Sequence, residues 1–244
     1  MDMSSVLARL AALEAKQACS TQGVYAPFEV PASGKCPVLH YDMQTMASTT
    51  AVADLINGDT NLEIQGSPTA GKPGRIGTTY ELNGCGDFFY SPVEEPYPSR
   101  LNGASAKSLS AWAYLTSLEG DGDKALPLAS FGDNSGGCSG ESFAMTPTSA
   151  VGCGNDVSGS EAAVTGEWRH YATAYDGSTW NFYVNGAKVG TKTTTLGTGT
   201  TDSRVAVGSE TWHGTSQHRL CKGMVDEVKI YDYALSAAQV GALY

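Results

Sequence analysis

Two dipeptides near the C-terminal end constrain this chain more than any other feature. Asp176-Gly177 and Asn185-Gly186 each separate runs rich in aromatic and β-branched residues. Glu167-Trp168-Arg169-His170-Tyr171-Ala172 precedes the first pair, and Trp180-Asn181-Phe182-Tyr183-Val184 lies between the two. Such pairs supply the positive φ angles that tight hairpin turns need. Between the turns, Trp180, Phe182 and Val184 alternate with Asn181 and Tyr183. That period of two predicts a buried face for the first set and an open face for the second. The stretch therefore reads as a meander of antiparallel strands. Val205-Ala206-Val207 and Gly223 to Tyr231 read as later strands, and Ser236 followed by Gln239 predicts a capping box opening a short helix.

With 244 residues, 41% of them hydrophobic, and 29 glycines, the chain has room for one large turn-rich β domain and a small appendage. The net charge of -10 argues against a nucleic-acid backbone or an anionic membrane as partner, because basic residues supply most of that affinity. No apolar run reaches the roughly 18–20 residues of a membrane span, so no membrane insertion is expected. The start, Met1-Asp2-Met3-Ser4, is acidic, and Arg9 and Glu14 interrupt the apolar region a secretion signal would need. Either such a signal lies outside this sequence, or the protein reaches the outside as part of a particle.

Six cysteines without a C-x-x-C pair argue for disulfides and an oxidising destination rather than zinc. Cys138–Cys153 would close a polar excursion, which leaves Cys19–Cys36 and Cys85–Cys221 by elimination. Buried free thiols are the alternative.

At the N-terminus, Met3, Val6, Leu10, Leu13 and Gln17 form a coiled-coil seam within residues 3–17. So short a helix is marginal alone and needs a partner. Arg9-Leu10-Ala11-Ala12-Leu13-Glu14 matches the Arg-h-x-x-h-Glu pattern of short trimeric coiled coils, so a homotrimer is expected. The competing reading is an amphipathic helix docked on its own domain. Residues 1–19 then form an oligomerisation helix and 20–37, with Pro27, Pro31 and Pro37, a linker. Residues 38–244 form the head. A trimeric stalk before a β-rich head is similar in layout to viral and phage fibres.

Further motifs run through the head in order. They include Val38-Leu39-His40-Tyr41-Asp42, Asn57-Gly58-Asp59, Gly71 to Gly77, Tyr80 to Gly84, Gly86 to Tyr90, and Ser108-Leu109-Ser110-Ala111-Trp112. Together with the C-terminal turns and strands they resemble the laminin-G-like jellyroll of the concanavalin A-like lectin/glucanase superfamily. The resemblance implies an all-β fold, an antiparallel sandwich, here preceded by the short coiled-coil helix. It places Trp112 in the core and gives Trp168 and His170 structural roles at a strand entry. It also implies a structural calcium ion, Ca2+, held by Asp226, with Asp42, Asp54, Asn57, Asp59 and Asp87 as further oxygen donors. The acidic run Glu119 to Asp123 lacks the full spacing of a calcium loop and reads as a solvated turn.

A glycan site is the second expectation. Sugars take aromatic faces against their C–H surfaces, with amides and carboxylates reading the hydroxyls. The loop Ser209 to Arg219 gathers Trp212, His213, Gln217, His218 and Arg219 between two strands, and Tyr183 and Asn181 would join from the open face of theirs. Asp133 to Cys138 would flank the same face. For catalysis the pattern is poor. Glycoside hydrolases of this fold carry Glu-x-Asp-x-x-Glu on one strand, setting two carboxylates about 5 Å apart. Here Glu161 and Glu167 stand six apart, and Asp226-Glu227 would point to opposite faces. The Gln-x-His and tyrosine strands of the lyases are missing too. The expectation is a non-catalytic trimeric head that binds a glycan or glycoprotein receptor at a cell or virion surface. A capsid or surface jellyroll that only packs against other proteins is the alternative, ahead of a hydrolase or lyase.

Overall fold

The computed structural model describes residues 36–92, 98–119, 126–132, 142–152, 154–199, 203–210 and 221–244. Within them the chain folds into two antiparallel sheets, with strands numbered in chain order. One sheet contains β1 (Leu39–Tyr41), β5 (Thr69–Pro73), β6 (Thr78–Asn83), β8 (Lys107–Leu115), β13 (Trp168–Tyr175), β14 (Thr179–Val184), β15 (Ala187–Thr193) and β17 (Lys222–Tyr231). Its order is β15-β14-β13-β8-β17-β6-β5, with β1 also on β17. The other contains β2 (Met46–Ser48), β3 (Ala51–Val52), β4 (Leu62–Gln65), β7 (Phe88–Tyr90), β9 (Ala129–Gly132), β10 (Ser142–Met145), β11 (Ser149–Val151), β12 (Val157–Ser158) and β16 (Arg204–Val207). Its order is β12-β11-β10-β9-β16-β7-β4-β3-β2. This is the antiparallel sandwich the sequence led to. The helix expected at 3–17 and nearly all of the linker lie outside the described residues.

The two sheets bury their facing side chains against each other. Leu109, Ala111, Ala113 and Leu115 of β8, Trp180, Phe182 and Val184 of β14, and Phe131, Phe143, Val205 and Val207 of the opposite sheet share one core. Phe143 packs between Phe131 and Trp180, with ring centroids 5.0 Å from each. The Trp180 indole N–H donates to Thr173 Oγ1, so the buried ring keeps its one polar atom satisfied.

The hairpin turns form as their residues dictate. Asn185 and Gly186 adopt φ of 47° and 78°, and the Asn185 amide oxygen accepts from the His170 backbone N–H. Asp176 closes the preceding turn by accepting from the N–H groups of Ser178 and Thr179. The C-terminal helix α1 (Ala237–Leu243) opens with the capping box, Ser236 and Gln239 each bonding the other's backbone N–H.

Two expectations fail. Tyr183 is not on an open face. Leu235 and Val240, on α1 and its approach, cover it together with Ala172, Ala174 and Tyr231 in a second apolar cluster. The alternation along β14 holds, but a segment fifty residues later folds over the outer face, which the strand's own pattern does not report. Cys85 and Cys221 are not bonded to each other; both are free thiols. Cys85 sits exposed in the turn after β6, while Cys221 lies inside the sandwich core. One thiol faces solvent and the other the interior, so elimination joined two side chains whose directions forbid the bond. Cys36 is disulfide-bonded, and Cys19, Cys138 and Cys153 lie outside the described residues.

Candidate functional site

The outer face of the β8–β13–β17 sheet gathers polar and aromatic side chains from several strands. It begins with register. Trp112 on β8 stands opposite His170 on β13 and Asp226 on β17, and Ser110 stands opposite Lys229, which in turn faces His40 on β1. Inner-face residues of β17 are Val225, Val228 and Ile230. The spacing breaks alternation because a bulge lies between Asp226 and Lys229, with Glu227 at a φ of 51°. The bulge turns two consecutive carboxylates outward. The expectation that Asp226 and Glu227 point to opposite faces is therefore corrected: each bonds a group on the outer side.

Glu227 accepts from His40 Nε2 at 3.1 Å and pairs with Lys229 at 2.8 Å, all three side chains being buried. Burial opposes the charge on Glu227, but the His40 hydrogen bond and the Lys229 ammonium hold its carboxyl down to about 2. Burial also lowers His40, so it donates as a neutral imidazole with its proton on Nε2 rather than as one half of an ion pair.

Asp226 does a different job. Its Oδ2 accepts the N–H of Ile76 at 3.0 Å and so ties down the tight turn between β5 and β6. Burial pushes this carboxyl up to about 7, with the turn's N–H groups opposing the rise. Two glycines permit the close approach. A Cβ on Gly74 would meet Asp226 Oδ2 at 2.7 Å, and Gly77 takes a φ of 65°. The pinned turn lays the Arg75 guanidinium 4.2 Å from the centroid of Trp112. Tyr244 stacks on the same indole at 5.7 Å, and His170 lies against it at 5.3 Å. Trp112 is 7% exposed. It is buried, as expected from the sequence, on the outer side of its sheet rather than between the sheets. His170 is 2% exposed and its Nδ1 has no hydrogen-bond partner in the structure. Burial, then Lys229 and Arg75, lower it to about 3, so it is neutral.

The candidates named from sequence are scattered. Trp212, His213, Gln217, His218 and Arg219 lie outside the described residues. Their loop springs from Glu210 and returns at Cys221, whose N–H bonds Gly208. Residues 133–141 are attached at the other end of the same strands, since Gly132 pairs with Arg204 and Ala129 with Val207. Asn181 is half-buried, with its Oδ1 accepting from Thr191, and β13 separates it from Trp112.

The calcium candidates do not converge either. Asp42 accepts from Gln44 N, Thr45 N and Thr45 Oγ1. Asp54 accepts from His40, Ile56 and Asn57 N–H groups, and Asp87 from Ser67 and Asn83. Asn57 and Asp59 are exposed. Among the described residues no group of three or more His, Cys, Asp or Glu is placed to hold a metal. Calcium needs six to eight free oxygen ligands, whereas these carboxylates spend theirs on turn N–H groups. They do not fit the ion as placed. What sequence reasoning missed is the Arg75–Trp112–Tyr244 group; the Gly-rich run around Arg75 marked a turn but not its destination.

The laminin-G-type sequence profile of the Concanavalin A-like lectin/glucanases superfamily matches residues 90–241. The chain belongs to that superfamily. No curated protein matches it by sequence. Among solved structures it is similar to Domain 4 of AbnA, a GH43 extracellular arabinanase from Geobacillus stearothermophilus, in complex with arabinotriose. That likeness has a TM-score of 0.62 and 20% identity, over 85% of this chain and 98% of that one. It is similar to the binding domain of Paraclostridial Mosquitocidal Protein 1 at TM-score 0.58 and 16% identity, over 85% of this chain and 51% of that one. It is also similar to the botulinum neurotoxin serotype D binding domain at TM-score 0.54 and 11% identity, over 86% of this chain and 51% of that one. At these identities the likeness is one of fold, a lectin-like β-sandwich, and the chain spans about half of the two toxin binding domains. Among the described residues no helix is long and apolar enough to cross a membrane.

Proposed function

We propose that this lectin-like sandwich is a non-catalytic head that binds a glycan or a glycosylated receptor, presented as a homotrimer by the helix at 3–17 on a cell or virion surface. The observation that carries the reading is the superfamily fold laid over nearly the whole of an arabinanase domain solved with arabinotriose. The disulfide at Cys36 supports an extracellular destination. The non-catalytic part rests on how the carboxylates are used. Glu161 and Glu167 both pair with Arg169 at the surface, Glu227 is committed to His40 and Lys229, and Asp226 to a turn. None of these is left with both oxygens to flank a scissile bond. Three heads on one stalk would raise weak sugar contacts to useful avidity.

The test is the purified protein on a broad glycan array, with calcium and again with a chelator, beside Trp212→Ala. Selective binding lost in the variant places the contact in the 209–219 loop. A calcium requirement would revive the metal suggested by the family resemblance, through oxygens beyond those described. No binding in either condition, from protein shown to be folded, sinks the reading.

A further inference from the structure

We infer that Arg75 and Tyr244, backed by the buried Trp112, form a binding site for the carboxylate-bearing ring of an acidic sugar, a uronic or a sialic acid. The inference deepens the glycan-binding reading above by naming a site and a ligand class, and it rests on that reading.

The chain carries 25 acidic residues against 15 basic, so most of its surface repels anions. Yet among the described residues no carboxylate pairs with the Arg75 guanidinium. Asp226 and Glu227, on the strand beside Trp112, are committed elsewhere, Asp226 to the Ile76 N–H and Glu227 to His40 and Lys229. Arg75 is exposed and also held, its backbone pinned through Asp226 and its side chain resting on the indole. A held guanidinium has already lost much of the freedom that binding would cost, and its planar fork matches a carboxylate bidentately.

The neighbours supply the rest of a sugar site. Tyr244 is 57% exposed, the largest exposure among the big apolar side chains of the described residues, and it stacks on the buried Trp112. That leaves one aromatic face outward for the C–H surface of a pyranose, backed by a ring that cannot give way. A neutral sugar would engage the tyrosine equally well but would leave the guanidinium fork without its acceptor. Specificity for acid over neutral therefore rests on Arg75.

Titration calorimetry tests this with methyl glucuronide, methyl N-acetylneuraminide and methyl glucoside. At least one acid is expected to bind about 10-fold more tightly than the neutral glycoside, as one charge-assisted bidentate contact warrants. Arg75→Gln brings the affinity for the acid down to that for the neutral glycoside. Arg75→Lys, which keeps the charge without the fork, restores part of it, and Tyr244→Ala weakens acid and neutral sugars alike. Because Arg75 is exposed, thermal melts of its variants should match the parent and exclude misfolding. Equal affinity for acid and neutral glycosides, or acid binding indifferent to Arg75→Gln, overturns the inference. If the preference for the acid survives Arg75→Gln and binding is lost in Trp212→Ala, the site falls and the lectin reading stands. If no sugar binds by calorimetry or on the array, both fall.

Discussion

The two faces of β8 differ in how they are held. Inward, Leu109, Ala111, Ala113 and Leu115 pack into the inter-sheet core with aliphatic and aromatic partners. Outward, Ser108, Ser110 and Trp112 meet polar partners: Ser108 donates to Tyr233 O, Ser110 stands opposite Lys229, and Trp112 lies among Arg75, His170 and Tyr244. Both faces are nearly shielded from water. The inner one is shielded by a second sheet, a non-directional hydrophobic contact. The outer one is shielded by a turn and a C-terminal segment held through specific hydrogen bonds and charges. The first arrangement should respond to volume and the second to protonation and capping.

Three substitutions sharpen or break that contrast. The largest effect is expected inside. Trp180→Ala removes a fully buried ring stacked on Phe143, and should cost about 3–5 kcal/mol in chemical denaturation, with no dependence on pH between 4 and 7. A pH-dependent loss would mean that the inner face is not purely apolar in its energetics.

The second effect is electrostatic and belongs outside. His170 is neutral in the fold, lowered from 6.5 to about 3 by burial and then by Lys229 and Arg75. Between those values the unfolded chain binds a proton that the folded one does not, so stability rises with pH across this window and falls on acidification below about 6.5. From pH 7 to pH 4 the parent should lose about 2–3 kcal/mol more than His170→Gln. Parallel curves for the two proteins would show that His170 is not held neutral.

The smallest effect tests the cover. Ser236→Ala removes the cap of α1, and should cost about 1 kcal/mol and speed hydrogen exchange in the helix before the inner strands. Faster exchange of α1 with unchanged protection of β13 and β14 is the expected pattern. Simultaneous loosening of inner strands would place the helix within the cooperative core.

Much of the inner face was legible in the sequence. The Asp-Gly and Asn-Gly pairs, the alternation through Trp180, Phe182 and Val184, and the Ser236–Gln239 box act over a few residues, and the structure realises each. The bulge in β17 was half legible. Apolar residues at 225, 228 and 230 break a strict period of two, and two adjacent acids fill the gap. The outer cluster was not legible, because Arg75, Trp112, His170, Asp226 and Tyr244 come from five separate segments.

By itself, then, the sequence determined the turns, the strand periods, the buried set and the helix cap, since each follows from the φ, ψ and side-chain direction of neighbouring residues. Tertiary structure alone decided that Tyr183 is covered, that Cys85 and Cys221 stay apart, and that Trp112 is buried beneath Arg75 on the outer side of its sheet. These depend on which strands lie side by side and which late segment folds across them. Burial summed over the whole sandwich sets those choices, and no local pattern encodes them.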